Sequence, residues 1–286
     1  MRLTYRLMGV VNVTPDSFSD GGLFLAPEAA AAHAKDLAGE GADIVDIGGE
    51  STRPGAEPVS AAQELRRVMP AIEAIAAGGG AETGPQVSID TSKAVVAEAA
   101  LAAGASFVND VSALRADPEM AGVIAARGCE CCLMHMLGEP RTMQADPAYE
   151  DVVSEVSSFL EARMAWAVRQ GVAEERIVLD PGIGFGKTVA HNLALLARLD
   201  EIAALGRPVL VGTSRKSFLG QVLAVLDGAG EPAPLQRRLA GTIATNVLAF
   251  ERGASIFRVH DVGPVGDALA VAAATLSDDG RRRRGR

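Results

Sequence analysis

A carboxylate followed by three spaced glycines is the most chemically pointed stretch of this 286-residue chain: Asp180, Pro181, Gly182, Ile183, Gly184, Phe185, Gly186, Lys187. The apolar pair Val178 and Leu179 leads into the acid. Proline then removes a ladder donor, and the glycines permit backbone angles that bulkier residues resist. The stretch reads as a strand that stops at Asp180 and hands over to a loop that something approaches closely. Two phosphate-loop readings fail on spacing. A Walker loop needs its first glycine where Pro181 stands, and a dinucleotide fingerprint needs its last glycine where Lys187 stands.

Polar residues close the other apolar runs in the same way: Asn12, Asp46, Asp90, Asn109, His135, Ser214, Arg258 and His260. Asp90 and Asp180, with Asn109 near them, suit a ligand edge rich in N–H donors, because an ionised carboxylate accepts two parallel hydrogen bonds. Arg258, His260 and Asn12 form a separate cluster suited to an anion. Lysine usage adds a third signal. Only Lys35, Lys93, Lys187 and Lys216 occur among 27 basic residues, and three of the four follow strand ends. Where arginine is the default, a retained lysine implies a need for a compact ammonium. For Lys93 and Lys187, a solvated first helical turn is an equally good reading. Lys216, in Gly-Thr-Ser-Arg-Lys-Ser, sits among enough hydrogen-bonding neighbours to suggest ligand binding rather than Schiff-base chemistry.

These residues need elements that bring them together. Apolar strands are expected over 5–13, 43–48, 86–91, 106–111, 131–136, 176–180, 208–213 and 255–260, and amphipathic helices over 27–41, 61–77, 93–104, 151–171, 188–206 and 265–276. Eight strands alternating with helices predict an α/β fold, a single (β/α)8 barrel spanning 1–276, with long loops after strands one and two. In such a barrel every strand end converges on one face, where barrel enzymes place their sites. The remainder, 277–286, is rich in arginine and reads as a disordered tail.

Composition narrows the partners. The net charge of −9 argues against a nucleic-acid surface. Neither a membrane span nor a signal peptide is indicated, so a cytoplasmic protein is expected. Cys129, Cys131 and Cys132 fall on one strand with adjacent side chains facing opposite ways, which favours buried free thiols over a metal site.

Taken together, the stretches 8–22, 46–56, 88–93, 108–112, 133–136, 178–187, 212–217 and 258–262 resemble dihydropteroate synthase over nearly the whole chain. The resemblance implies condensation of 6-hydroxymethyl-7,8-dihydropterin diphosphate with 4-aminobenzoate in folate synthesis, releasing diphosphate. It implies that Asp90, Asn109, Asp180 and Lys216 hold the pterin while Met134 packs on its ring. Asn12, Arg258 and His260 would hold the diphosphate, with Mg2+ offsetting its charge and Asn12 as a ligand. Phe18, Thr52, Arg53, Pro54, Phe185 and Ser217 match the aminobenzoate pocket. Catalytic weight would fall on Lys216, Arg258, Asp90 and Phe18, and a homodimer is implied. Two rivals share the pterin site: a methyltetrahydrofolate-dependent methyltransferase, which needs no diphosphate cluster, and a paralogue that binds without turnover.

Overall fold

The computed structural model describes residues 4–14, 27–52, 55–77, 84–139 and 141–283. Its strands are β1 (Arg6–Asn12), β2 (Ile44–Gly48), β3 (Gln86–Asp90), β4 (Phe107–Asp110), β5 (Glu130–Met134), β6 (Ile177–Asp180), β7 (Leu210–Val211) and β8 (Ile256–Val259). Between and after them run α1 (Pro27–Gly39), α2 (Ala61–Ala77), α3 (Ala94–Ala102), α4 (Met120–Arg127), α5 (Val152–Arg169), α6 (Val189–Ala197), α7 (Leu199–Ala203), α8 (Ser217–Asp227), α9 (Leu239–Glu251) and α10 (Val262–Arg283). All strand pairs are parallel, in the order β6-β5-β4-β3-β2-β1-β8-β7. A bridge from Leu179 to Val209 brings β6 against the chain entering β7 and closes the barrel.

Helical expectations differ from the structure in several places. The helix expected over 188–206 is broken at Arg198, whose φ of −118° and ψ of 31° are not helical. The short α4 was absent from the sequence reading, because eight residues give too few turns for an apolar period to register. The last helix runs on to Arg283 instead of stopping at residue 276, so 277–283 are helical where a disordered tail was expected. Arginine is a good helix former, and Gly280 alone, at a cost of about 1 kcal/mol, does not end a helix already nucleated.

Strand alternation decides what the barrel contains. Successive side chains point to opposite faces of a sheet. One set, Val11, Ile47, Ile89, Val108, Leu133, Leu179, Val211 and Phe257, faces outward into the main core beneath the helices. The other set faces inward and is stacked in layers. Arg6, Gln86 and Glu130 close the bottom: Arg6 Nη2 donates to Glu130 Oε1 at 2.9 Å, and Gln86 Nε2 donates to Glu130 Oε2 at 3.0 Å. Met8, Ile44, Phe107, Cys132, Val178, Leu210 and Ile256 plug the middle as one buried cluster. Two residues further along each strand, the same parity delivers Asp46, Asn109, Met134, Asp180 and Arg258 to the top, with Asp90 beside them on β3. Apolar plug and polar mouth are therefore products of one period-2 pattern. The three cysteines are free and buried, and burial pushes their thiols up.

Candidate active site

A cavity of about 1160 Å³ opens above the plug. Strand ends supply Asn12, Asp90, Asn109, Met134, Asp180, Arg258 and His260 to its wall. Loops add Thr52 after β2, Met143 and Gln144 between β5 and α5, and Phe185 from the glycine stretch, while Lys216 and Ser217 come from the start of α8. Phe18, Arg53 and Pro54, expected in the same pocket, lie outside the described residues.

Arg258 ties the two halves of the mouth together, whereas the sequence reading kept them separate. Its Nε donates to Asp46 Oδ2 at 2.6 Å and its Nη2 to Asp90 Oδ2 at 2.8 Å. Asp46 is fully buried and also accepts from Asn109 Nδ2 at 3.0 Å and Ser88 Oγ at 2.6 Å. Burial drives Asp90 up to about 8 against the pull of Arg258, with Asp46 adding to the rise. The guanidinium is raised in turn: burial works against it, but Asp46 and Asp90 outweigh that cost. Beside it, His260 meets Ser214 through both its ring Nδ1, at 3.0 Å, and its backbone N–H, at 3.2 Å.

The glycine stretch forms another part of the wall. Asp180 Oδ1 accepts the Gly182 N–H at 2.7 Å, which fixes the carboxylate as the loop turns away. Lys216 donates to the Ile183 carbonyl, and its ammonium lies 4.6 Å from the centre of the Phe185 ring. Burial lowers Lys216 to about 8, opposed by Asp180 and assisted by Arg258. A buried acid and a half-buried ammonium here face one ligand-sized space, an arrangement suited to a ring edge that presents both donors and acceptors.

One expected mouth residue goes elsewhere. His135 has the outward parity of β5, so its ring points away from the cavity and packs edge-on to Phe159 at 4.8 Å. Its Nδ1 lies 2.9 Å from Lys187 Nζ. Lys187 is 3% exposed and also donates to the Phe185 carbonyl at 3.0 Å and the His135 carbonyl at 3.4 Å. Burial lowers it to about 7, opposed by Asp180. Lys93 likewise bonds Glu50 at 2.5 Å and Glu64 at 2.6 Å, and Glu50 also accepts the Val59 N–H at 3.0 Å. Neither lysine is a solvated helix start. Each pins a loop that lines the mouth. Met143 and Gln144 were not anticipated, because they lie on an irregular connection that carries no strand-end signature.

His135 yields a prediction about acid stability. Burial, then Lys187 and Arg115, lower it to about 3 from 6.5. Above pH 6.5 both folded and unfolded imidazole are neutral. Between about 6.5 and 3 only the unfolded chain takes up the proton, so stability falls with falling pH in that window. Urea unfolding is expected to show a loss of about 2–3 kcal/mol between about pH 6.5 and 4.5 from this group. NMR of the ring should find it neutral throughout that range; titration near pH 6 would contradict the assignment.

A family model described as "Pterin binding enzyme" matches residues 8–260. The dihydropteroate synthase of Escherichia coli K12 is 46% identical over 271 residues, covering 95% of this chain and 92% of that protein. The chain belongs to the dihydropteroate synthase family. Among solved members, the Yersinia pestis dihydropteroate synthase, in a sulfonamide drug complex, superposes with a TM-score of 0.89 at 42% identity, covering 97% of this chain and 96% of that one. The Xanthomonas albilineans dihydropteroate synthase in complex with 7,8-dihydropteroate gives a TM-score of 0.83 at 44% identity, covering 96% and 95%. Members of this family are transferases that make dihydropteroate, and their scaffold is the barrel described above.

Proposed function

We propose that the barrel mouth joins a dihydropterin methylene to the amine of 4-aminobenzoate with loss of diphosphate. The observation that carries this reading is the single cavity that Asp180, Asn109 and Lys216 line together with Arg258 and His260. One wall suits a heterocycle edge and the other suits an anion.

In the proposed reaction the bond between methylene carbon and diphosphate oxygen breaks, and its electron pair leaves with the oxygen. The arylamine nitrogen then bonds to the carbon and gives up a proton. Arg258 and His260 stabilise the departing anion, and Asn12 faces the same space. Asp90, Asn109, Asp180 and Lys216 orient the pterin while Met134 covers its face. Thr52, Phe185 and Ser217 border the space left for the arylamine, with Phe18, Arg53 and Pro54 assigned there by family resemblance. Positioning and anion stabilisation supply the catalysis, and no strong base is required.

Mg2+ is part of the proposal as an ion that arrives with the diphosphate. Among the described residues no group of three or more His, Cys, Asp or Glu is placed to hold a metal. An amide oxygen from Asn12, on a cavity wall open to phosphate oxygens and water, suits the way Mg2+ binds through few protein ligands. When bound, it would offset diphosphate charge. We also propose a homodimer and a cytoplasmic setting. Val225 and Leu226 on α8 and Val271 on α10 are largely exposed apolar side chains on the barrel exterior, which supports association. No described helix is long and apolar enough to cross a membrane. Light scattering on the purified chain tests the dimer.

The test of function is diphosphate release from the pterin diphosphate in Mg2+, with and without 4-aminobenzoate. Release that tracks dihydropteroate formation is expected; substrate binding with no product under any condition would leave only a pterin-binding protein. Arg258→Ala should weaken the diphosphate substrate about fifty-fold, for a lost charged contact of ~2–3 kcal/mol, and the dihydropterin alcohol far less. Equal losses for both ligands would misplace the anion site.

A further inference from the structure

Asp46 sits directly behind the mouth, fully buried, and does not line the cavity. Its partners do. Oδ2 receives Arg258 Nε at 2.6 Å and Asn109 Nδ2 at 3.0 Å, while Oδ1 receives Ser88 Oγ at 2.6 Å from the residue paired with it across β2 and β3. One carboxylate thus holds one group from the anion wall and one from the ring wall.

The geometry of Arg258 explains what this achieves. A guanidinium is planar, so fixing Nε on Asp46 and Nη2 on Asp90 fixes the direction of Nη1. Nη1 makes no hydrogen bond with a described residue and belongs to a side chain on the cavity wall. The charge of Asp46 matters as well as its shape. Arg258 can loosen its hold on Asp90 as an anion arrives and remain paired with Asp46 from behind. Without the charge on Asp46, Asp90 becomes the sole anionic partner of Arg258, and substrate must compete with that pair.

We infer that Asp46 is a positioning residue for the departing anion, acting through Arg258 and contacting no substrate itself. This rests on the proposed reaction and adds to it a residue that the ligand contacts do not include. Asp46→Asn separates charge from shape. The amide oxygen can take the place of Oδ2 and accept from Arg258 and Asn109, and the amide N–H can donate to Ser88 Oγ, which turns its own hydrogen away.

Binding of inorganic diphosphate in Mg2+ and of the dihydropterin alcohol, measured by calorimetry, and kcat with the pterin diphosphate are the readouts. Asp46→Asn is expected to weaken diphosphate about thirty-fold and to lower kcat by a similar factor, in the range seen on breaking a buried charge pair. Affinity for the alcohol should change by less than about threefold, because Asn109 keeps its acceptor. In an Arg258→Ala background Asp46→Asn should alter diphosphate binding by less than about twofold, the non-additivity of a residue that works through another. Ser88→Ala, which loosens Asp46 without removing it, should shift the same readouts in the same proportion by about threefold, and serves if the amide variant does not fold. Equal losses with and without Arg258, or equal losses for diphosphate and alcohol, would overturn the inference. A wild-type chain that binds diphosphate, paired with an unchanged Asp46→Asn, overturns it alone; a wild-type chain that binds neither ligand overturns the proposed function as well.

Discussion

Asp180→Asn is expected to lower affinity for the pterin substrate about a thousandfold while leaving the barrel folded. Oδ1 of Asp180 already accepts the Gly182 N–H at 2.7 Å. In the variant the amide oxygen must keep that position, since an amide N–H turned toward Gly182 would set donor against donor. The amide nitrogen is left where Oδ2 stood, facing ring N–H groups that need an acceptor. A charge-assisted pair is lost, a ligand donor is stranded in a buried site, and Lys216 loses the carboxylate that opposes its desolvation. Together these cost ~4 kcal/mol, which is about a thousandfold in affinity. Calorimetry with the dihydropterin alcohol isolates the ring from the diphosphate. Affinity within about tenfold of wild type would remove Asp180 from the ring wall.

Much of this architecture was legible in the chain because strand parity and barrel geometry act together. Asp46, Asp90, Asn109, Asp180 and Arg258 each end a short apolar run, and all five reach the top of the barrel interior. The same rule, applied more strictly, would have removed His135. It follows Met134 by one residue, and Met134 faces inward, so the next residue beyond β5 must face the helices. What residue types alone could not reveal was pairing. Arg258 looked like part of an anion cluster, yet its partners are carboxylates 212 and 168 positions away. Such contacts depend on how eight strands stagger around the barrel. Lys93 and Lys187 show the same limit. Lysine scarcity marked them as unusual, but only the packed structure identifies Glu64 and the Phe185 carbonyl as their partners.

The lysine contacts also show how loops around the mouth are tied to the barrel. Lys187 reaches across from the end of the glycine stretch to β5, and Lys93 reaches from the start of α3 to the loop after β2. In each case an ammonium joins elements that the sheet ladder does not connect. The cavity wall therefore combines inward strand ends with loops clamped from outside the barrel. Phe185 thereby keeps its place over Lys216 on a run containing three glycines.

Gly182→Ala should be the most damaging single substitution in the mouth, although it adds one carbon and touches no substrate. Gly182 has φ of 67°, and a Cβ there would stand 1.8 Å from the backbone oxygen of His135. That oxygen cannot retreat, because the His135 N–H is tied to the Asp180 carbonyl at 2.9 Å at the edge of the β5–β6 ladder. The loop would have to take another path. It would lose the Gly182-to-Asp180 bond, the turn closed by the Phe185 N–H on the Gly182 carbonyl at 3.0 Å, and the alignment of Lys187 with its acceptors. Strain at positive φ adds ~1–2 kcal/mol, and the lost contacts bring the total above ~4 kcal/mol, with turnover falling more than about a thousandfold. Gly184→Ala is the informative comparison. Its Cβ would meet Lys216 Cδ at 3.0 Å, the middle of a flexible side chain that can shift, so stability should fall by only ~1–2 kcal/mol while pterin affinity still declines. Urea unfolding of the two variants decides the matter: if Gly182→Ala unfolds within ~1 kcal/mol of wild type, the backbone approach between the two strand ends does not constrain the loop as argued.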